Sequence, residues 1–166
     1  MAGSLQVAYN GQAFSPVGDK GRFVLPPAFR KAVRDSSDGR ILCLAKHDRW
    51  PCLVGFGLSR LPELEQQLDR EERLAIELGR DFDRDARSLA LYGFEQVPFD
   101  ESGRFVMPDY LAQLGRIADG LYFQGAGRFF TIWNPAELAK MGDGWESAQA
   151  ACASLAQDQS TRTRKT

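Results

Sequence analysis

Gly21-Arg22-Phe23-Val24-Leu25-Pro26 returns as Gly103-Arg104-Phe105-Val106-Met107-Pro108, displaced by 82 residues in a chain of 166. Self-similarity at about half the chain length marks a duplicated unit, and every other segment is read against it. Gly18-Asp19-Lys20 precedes the first copy and Asp100-Glu101-Ser102 the second, so each begins with a turn. Glycine permits a left-handed backbone or a close approach there, and the arginine after it enters a short strand. Alternation along Arg22–Leu25 sets Phe23 and Leu25 on one face, Arg22 and Val24 on the other. Pro26 and Pro108 cannot donate to a ladder, so they stop the strands and lead into short helices over 26–33 and 108–114. Apolar strand pairs close the copies: Ile41–Leu44 with Leu53–Phe56, then Leu121–Phe123 with Phe129–Trp133. The first pair has a turn about two residues longer, near Arg49 and Trp50.

Residues 61–92 change to helical spacing. Pro62 stands as a first-turn proline, and Leu61, Leu64 and Leu68 are followed by Leu74, Ile76 and Leu78. Ala86, Leu89, Ala90 and Tyr92 make a second stripe, which predicts two helices broken near Gly79–Asp83. Their charged faces (Glu63, Glu65, Asp69, Arg70, Glu77, Arg84, Arg87) read as solvated surface. Asn134-Pro135-Ala136-Glu137 reads as a capping box that starts a helix, ended by Gly142 and Gly144. Trp145–Leu155 forms a last helix, and Ala156–Thr166 reads as a disordered polar tail.

At 43% hydrophobic, the chain can build a real core. No apolar run approaches the ~18 residues of a membrane span, and Met1–Asn10 lacks the pattern of a signal peptide. Cys43, Cys52 and Cys152 have no metal-ligand spacing; the first two lie in strand-like runs as buried thiols, which fits a reducing cytoplasm. His47 is the sole histidine, between Lys46 and Asp48 in a turn, so a triad or zinc site would rest on it alone. There is no phosphate loop and no G-x-G-x-x-G. No convergent acid–base set stands out either, so no enzymatic activity, cofactor, metal, membrane partner or small-molecule substrate is expected. The net charge of −1 argues by itself against a nucleic-acid partner. Its distribution is uneven, with net +4 over residues 1–50 and net −5 over residues 51–100.

Arginine projects a planar donor fork that suits a phosphate or the O6/N7 edge of guanine, and Lys20 adds a second cation at the first turn. The bland alternative is that each arginine pairs with an acid of its own turn, Asp19 or Asp100.

The signature Asp-x-x-Gly-Arg-x-x-x-Pro, duplicated with two helices between the copies, resembles the MraZ family. These are bacterial transcriptional regulators linked to the division and cell-wall gene cluster. The resemblance covers roughly residues 10–141. Asp100, Gly103, Arg104 and Pro108 match in full. Copy one has Gly18 where the family carries Asp, with Asp19 one position later, while Lys20, Gly21, Arg22 and Pro26 match. A single copy would resemble only an AbrB-like swapped-hairpin barrel.

The resemblance implies an α+β fold of two tandem AbrB-like β units in a swapped-hairpin-type barrel, with helices inserted between and after them. The units are a first repeat over 10–57, a helical connector over 58–92, a second repeat over 93–141, and a C-terminal helix and tail over 142–166. It implies a sequence-specific DNA-binding regulator, taken as a repressor, that is cytoplasmic and nucleoid-associated. Its partners would be double-stranded DNA with tandem promoter repeats and further copies of itself in a ring. Lys20, Gly21, Arg22, Gly103 and Arg104 would form the DNA edge. A ring adds weak contacts by effective concentration, which offsets the near-neutral protomer. Neighbouring protomers would cover Leu64, Leu68, Leu74 and Ile76. The alternative is an antitoxin-like or other protein-interaction module on the same barrel, without a ring.

Overall fold

Each motif strand finds its partner in the other copy. The computed structural model describes residues 8–164; expectations for residues 1–7, Lys165 and Thr166 lie outside them. Copy one comprises β1 (Gln12–Pro16), β2 (Arg22–Val24), α1 (Pro27–Ser37), β3 (Ile41–Lys46) and β4 (Leu53–Phe56). Two helices follow, α2 (Leu61–Glu77) and α3 (Arg84–Tyr92). Copy two comprises β5 (Glu95–Pro98), β6 (Arg104–Val106), α4 (Asp109–Leu114), β7 (Gly120–Gly125) and β8 (Phe130–Trp133). The chain ends in α5 (Pro135–Ala139) and α6 (Glu146–Arg164).

β2 and β6 run antiparallel with Phe23 opposite Phe105, so this pair is self-equivalent under exchange of the copies. The other strands form an antiparallel sheet in the order β1-β7-β8-β4-β3-β5, which reads the same when the copies are exchanged. β1 extends the β7–β8 hairpin and β5 extends the β3–β4 hairpin, so each copy lends its first strand to the other. The hairpins meet at β4–β8, where Val54 faces Thr131. No recorded pairing joins β1 to β5 among the described residues, and the closed barrel expected from the resemblance is not found. The fold is α+β around an open six-stranded sheet and a two-stranded ribbon.

The alternation expected along Arg22–Leu25 holds, with Phe23 and Leu25 buried. Their core also contains Phe29, Phe105, Phe123 and Phe130, with the Phe29 and Phe130 rings 5.0 Å apart. A second cluster, Cys52, Tyr122, Trp133, Leu138 and Cys152, lies under α6. Trp145 stacks edge-on against Trp50 and Trp133 there, at 4.7 and 5.2 Å. α6 runs through residues 156–164, where the sequence reads as a tail. No glycine or proline follows Gly144 to stop it.

Three further expectations change. Leu64 and Leu68 are buried within the chain, whereas Leu74, Ile76, Leu78 and Leu89 are exposed, Ile76 at 73% and Leu89 at 78%. The charged faces of the connector are not merely solvated. α3 buries no residue and is held by charge: Arg84 reaches Glu65, Asp69 and Glu72 at 2.7, 3.0 and 3.3 Å. Arg87 reaches Glu71 at 3.0 Å and Asp48, in the β3–β4 turn, at 2.9 Å. The capping box is half made. Asn134 accepts from Ala136 N at 3.0 Å, but Glu137 turns to Arg116 and Lys140 at 3.0 and 3.1 Å.

Candidate nucleic-acid interface

The β2–β6 ribbon has two faces of opposite character. Phe23 and Phe105 point into the core with ring centroids 6.3 Å apart. Arg22, Val24, Arg104 and Val106 share the outer face, because Arg22 lies opposite Val106 and Val24 opposite Arg104. The two arginines are thus diagonal neighbours across an antiparallel pair, within reach of one ligand for side chains of this length. Shallow depressions of 360 and 330 Å³ flank the ribbon, and both arginines line both of them. Gly18, Asp19 and Lys20 complete the first.

The two turns that present these arginines are built differently. In copy two, the Asp100 carboxylate accepts from the backbone N–H groups of Ser102 and Arg104, both at 2.9 Å. Its other oxygen accepts from Arg104 Nε at 2.8 Å. The Arg104 N–H, and then its guanidinium, hold the Asp100 carboxyl below the usual carboxylate range. Gly103 is buried with φ +85°, its carbonyl accepting from Leu25 N at 2.8 Å. Arg30 seals it by donating Nε and Nη2 to the Leu25 carbonyl at 3.2 and 3.1 Å. A Cβ on Gly103 would strike the Arg30 guanidinium and stand 2.6 Å from the Leu25 carbonyl oxygen.

Copy one keeps the backbone bond that closes the turn, Gly18 N to Arg22 O at 2.7 Å against Asp100 N to Arg104 O at 3.0 Å in copy two, and lacks the carboxylate bonds. Gly18 offers no carboxylate, and Asp19, one position late, makes no side-chain bond among the described residues. Lys20 and Gly21 are both left-handed, with φ +61° and +68°, and nothing lies within 4 Å of a Cβ placed on Gly21. The position equivalent to Arg30 is Ala112, too short to bridge. The guanidinium of Arg22 and the ammonium of Lys20 therefore have no partner among the described residues. Pairing with an acid of the same turn holds for Arg104, with Asp100, and not for Arg22.

All five motif residues named from the sequence lie on these two turns and the ribbon they feed. Sequence reasoning missed Arg30, whose signal was its presence in one copy only. His47 is not part of the interface. Half-buried and stacked on Trp50 at 4.3 Å, it accepts from Arg49 N and Trp50 N through Nδ1 at 3.1 and 3.2 Å. Burial lowers its pKa. All three cysteines are free and buried; burial pushes the thiol of Cys43 up to about 11 and that of Cys52 up to about 12. Among the described residues no three His, Cys, Asp or Glu side chains gather as metal ligands, and no helix is long and apolar enough to cross a membrane.

No protein-family model matches the chain. It is 33% identical over 141 residues to the transcriptional regulator MraZ of Rhodospirillum rubrum, covering 82% of this chain and 86% of that protein. Its similarity to the transcriptional regulator MraZ of Gluconacetobacter diazotrophicus is 32% over 120 residues, covering 70% and 72%. That of Parvibaculum lavamentivorans is 29% identical over 133 residues, covering 80% and 79%.

Proposed function

The chain belongs to the MraZ family of transcriptional regulators, and from that premise we propose that it binds double-stranded promoter DNA through the outer face of the β2–β6 ribbon. One observation carries this. Pairing of the two motif strands puts Arg22 and Arg104 diagonally on one exposed face of a two-stranded antiparallel ribbon. A ribbon of this kind fits the major groove of B-DNA, where arginine donates to guanine O6 and N7. Lys20 and Arg22, unneutralised on the more open turn, lead the contact; Arg104 contributes with its field reduced by Asp100. Tandem repeats are read by several protomers in a ring of more than four chains, for which the exposed Leu74, Ile76, Leu78 and Leu89 supply uncovered apolar surface. The targets are repeats in the promoter of the division and cell-wall gene cluster, and the outcome of binding is repression.

The test is a binding titration with a repeat-bearing duplex, with circular dichroism as the folding control. Arg22→Ala abolishes tight binding without unfolding, because a direct arginine–base contact is worth about 1–3 kcal/mol and the loss recurs in every engaged protomer. Arg104→Ala weakens binding less. Arg22→Ala bound as tightly as the parent excludes the ribbon as the DNA-reading surface. Light scattering that gives a stable monomer across micromolar concentrations excludes the ring.

A further inference from the structure

The turn of copy two borders a second cationic opening. A cleft of 530 Å³ is lined by Arg30, Arg34, Gly39, Arg40, Asp100 and Glu101. Arg30 and Arg34 stand one helical turn apart on α1 and share a face. The left-handed residue Asp38, φ +51°, ends α1 and returns the chain so that Arg40 reaches the same opening.

The acids at the cleft neutralise little of this charge. The carboxylate of Asp100 is engaged by Arg104. Glu101, its side chain 91% exposed, approaches Arg40 only to 3.7 Å. Arg30 directs its guanidinium to a neutral acceptor, the Leu25 carbonyl. Arg34 has no side-chain partner among the described residues. Like charges one turn apart on a helix repel, and three guanidinium groups facing one loosely held carboxylate are relieved by an anion with several acceptor oxygens.

Copy two does not repeat the arginine pair of α1, for α4 carries no arginine. α4 has 6 residues against 11 in α1 and ends before Arg116, which is left-handed at φ +52° and paired with Glu137 at 3.0 Å. The cleft also adjoins the ribbon, because Asp100 lines both it and the depression shared by Arg22 and Arg104. Given the DNA-binding role proposed above, we infer that Arg34 and Arg40, backed by Arg30, hold a backbone phosphate of the duplex that the ribbon reads. The contact is an anchor that carries no sequence information.

The test compares the parent with Arg34→Ala/Arg40→Ala, leaving Arg30 in place because it supports Leu25. Each is titrated with a repeat-bearing duplex and with a scrambled one over a series of salt concentrations. The double variant weakens on both duplexes by about tenfold and keeps its preference for the repeat. Its log–log salt slope is shallower by about two ions per engaged protomer. Lysine at both positions restores most of the slope. Should the alanine pair unfold, Arg34→Gln, at a side chain that touches no partner, shows half the change in slope. Unchanged affinity and slope in a protein that still binds DNA, and still depends on Arg22, overturn the anchor and leave the ribbon proposal standing. A loss confined to the repeat-bearing duplex overturns it too, because the arginines then read bases. A parent that binds neither duplex removes both proposals.

Discussion

The guanidinium of Arg104 is tied to the carboxylate of Asp100, Nε to Oδ2 at 2.8 Å, inside the turn that Asp100 itself organises. The bond fixes the direction of an exposed arginine and reduces the field it projects.

Asp100 makes this turn dependent on pH. Its folded-state pKa lies below its unfolded value, so its stabilisation is complete above the ordinary carboxylate range and is lost as pH falls through the folded value. Asn at this position keeps an acceptor for the two N–H groups and loses the ion pair. Thermal unfolding from pH 7 down to about pH 3 therefore gives a lower midpoint for Asp100→Asn at neutral pH, and the gap to the parent closes at the acid end. A gap that stays constant over the whole range contradicts this account. Duplex affinity of Asp100→Asn is equal to or above that of the parent, because Arg104 is released.

The two motif glycines differ in cost. Both are left-handed, which disfavours any L side chain by about 1–2 kcal/mol. Gly21→Ala meets open space and costs about that much, whereas Gly103→Ala must also displace the Leu25 carbonyl and Arg30. Urea unfolding shows a clearly larger loss for Gly103→Ala. Equal losses would mean that the seal over the second turn contributes nothing.

His47 holds its folded-state pKa below the ordinary histidine value. Burial lowers its pKa, and its Nδ1 accepts two backbone N–H groups, which requires the proton on Nε2. The unfolded chain takes up a proton near pH 6.5, so stability is full above that pH and declines as pH falls toward the folded value. As the sole histidine, it gives an unambiguous NMR titration with a midpoint below 6.5 and an Nε2–H tautomer. In His47→Asn the decline is absent. A midpoint above 6.5 refutes the assignment.

Native cysteines resist alkylation at pH 8. All three are buried, and Cys43 and Cys52 titrate far above that pH, so almost no thiolate is present or reachable. A thiol reagent labels three sites only after denaturation, and reductant leaves the melting temperature unchanged. Rapid labelling of the folded protein at Cys43 or Cys52 contradicts their placement.

The repeat, both apolar hairpins and the helix break near Gly79 were legible because each leaves a local trace: a proline, a glycine or a period. Strand exchange left none. Nothing in Gln12–Pro16 says that it pairs with β7 rather than β3, since its alternation suits either. The spacing between Asp100 and Arg104 allowed their bond without requiring it, and Asp19 showed the same promise without keeping it. The stripe from Leu64 to Leu78 reads as one surface, yet α2 buries only Leu64, Leu68 and Ala75, and Leu74, Ile76 and Leu78 stay uncovered. Arg30 stood out only as an arginine present in one copy, and its role did not show because its acceptor is a carbonyl set by tertiary packing.

Because β1 and β5 are traded between the halves, neither half owns a complete sheet. A single unit with this pairing would have to fold as two chains, whereas α2 and α3 join the two copies here and make the exchange an event within one molecule. The joining also lifts an obligation. Two identical chains must carry the same residue at both turns, whereas one chain with two copies is free to place Gly18 in the first and Asp100 in the second. The joined protein can therefore hold one arginine tethered and the other free, a division of labour closed to a homodimer of single units.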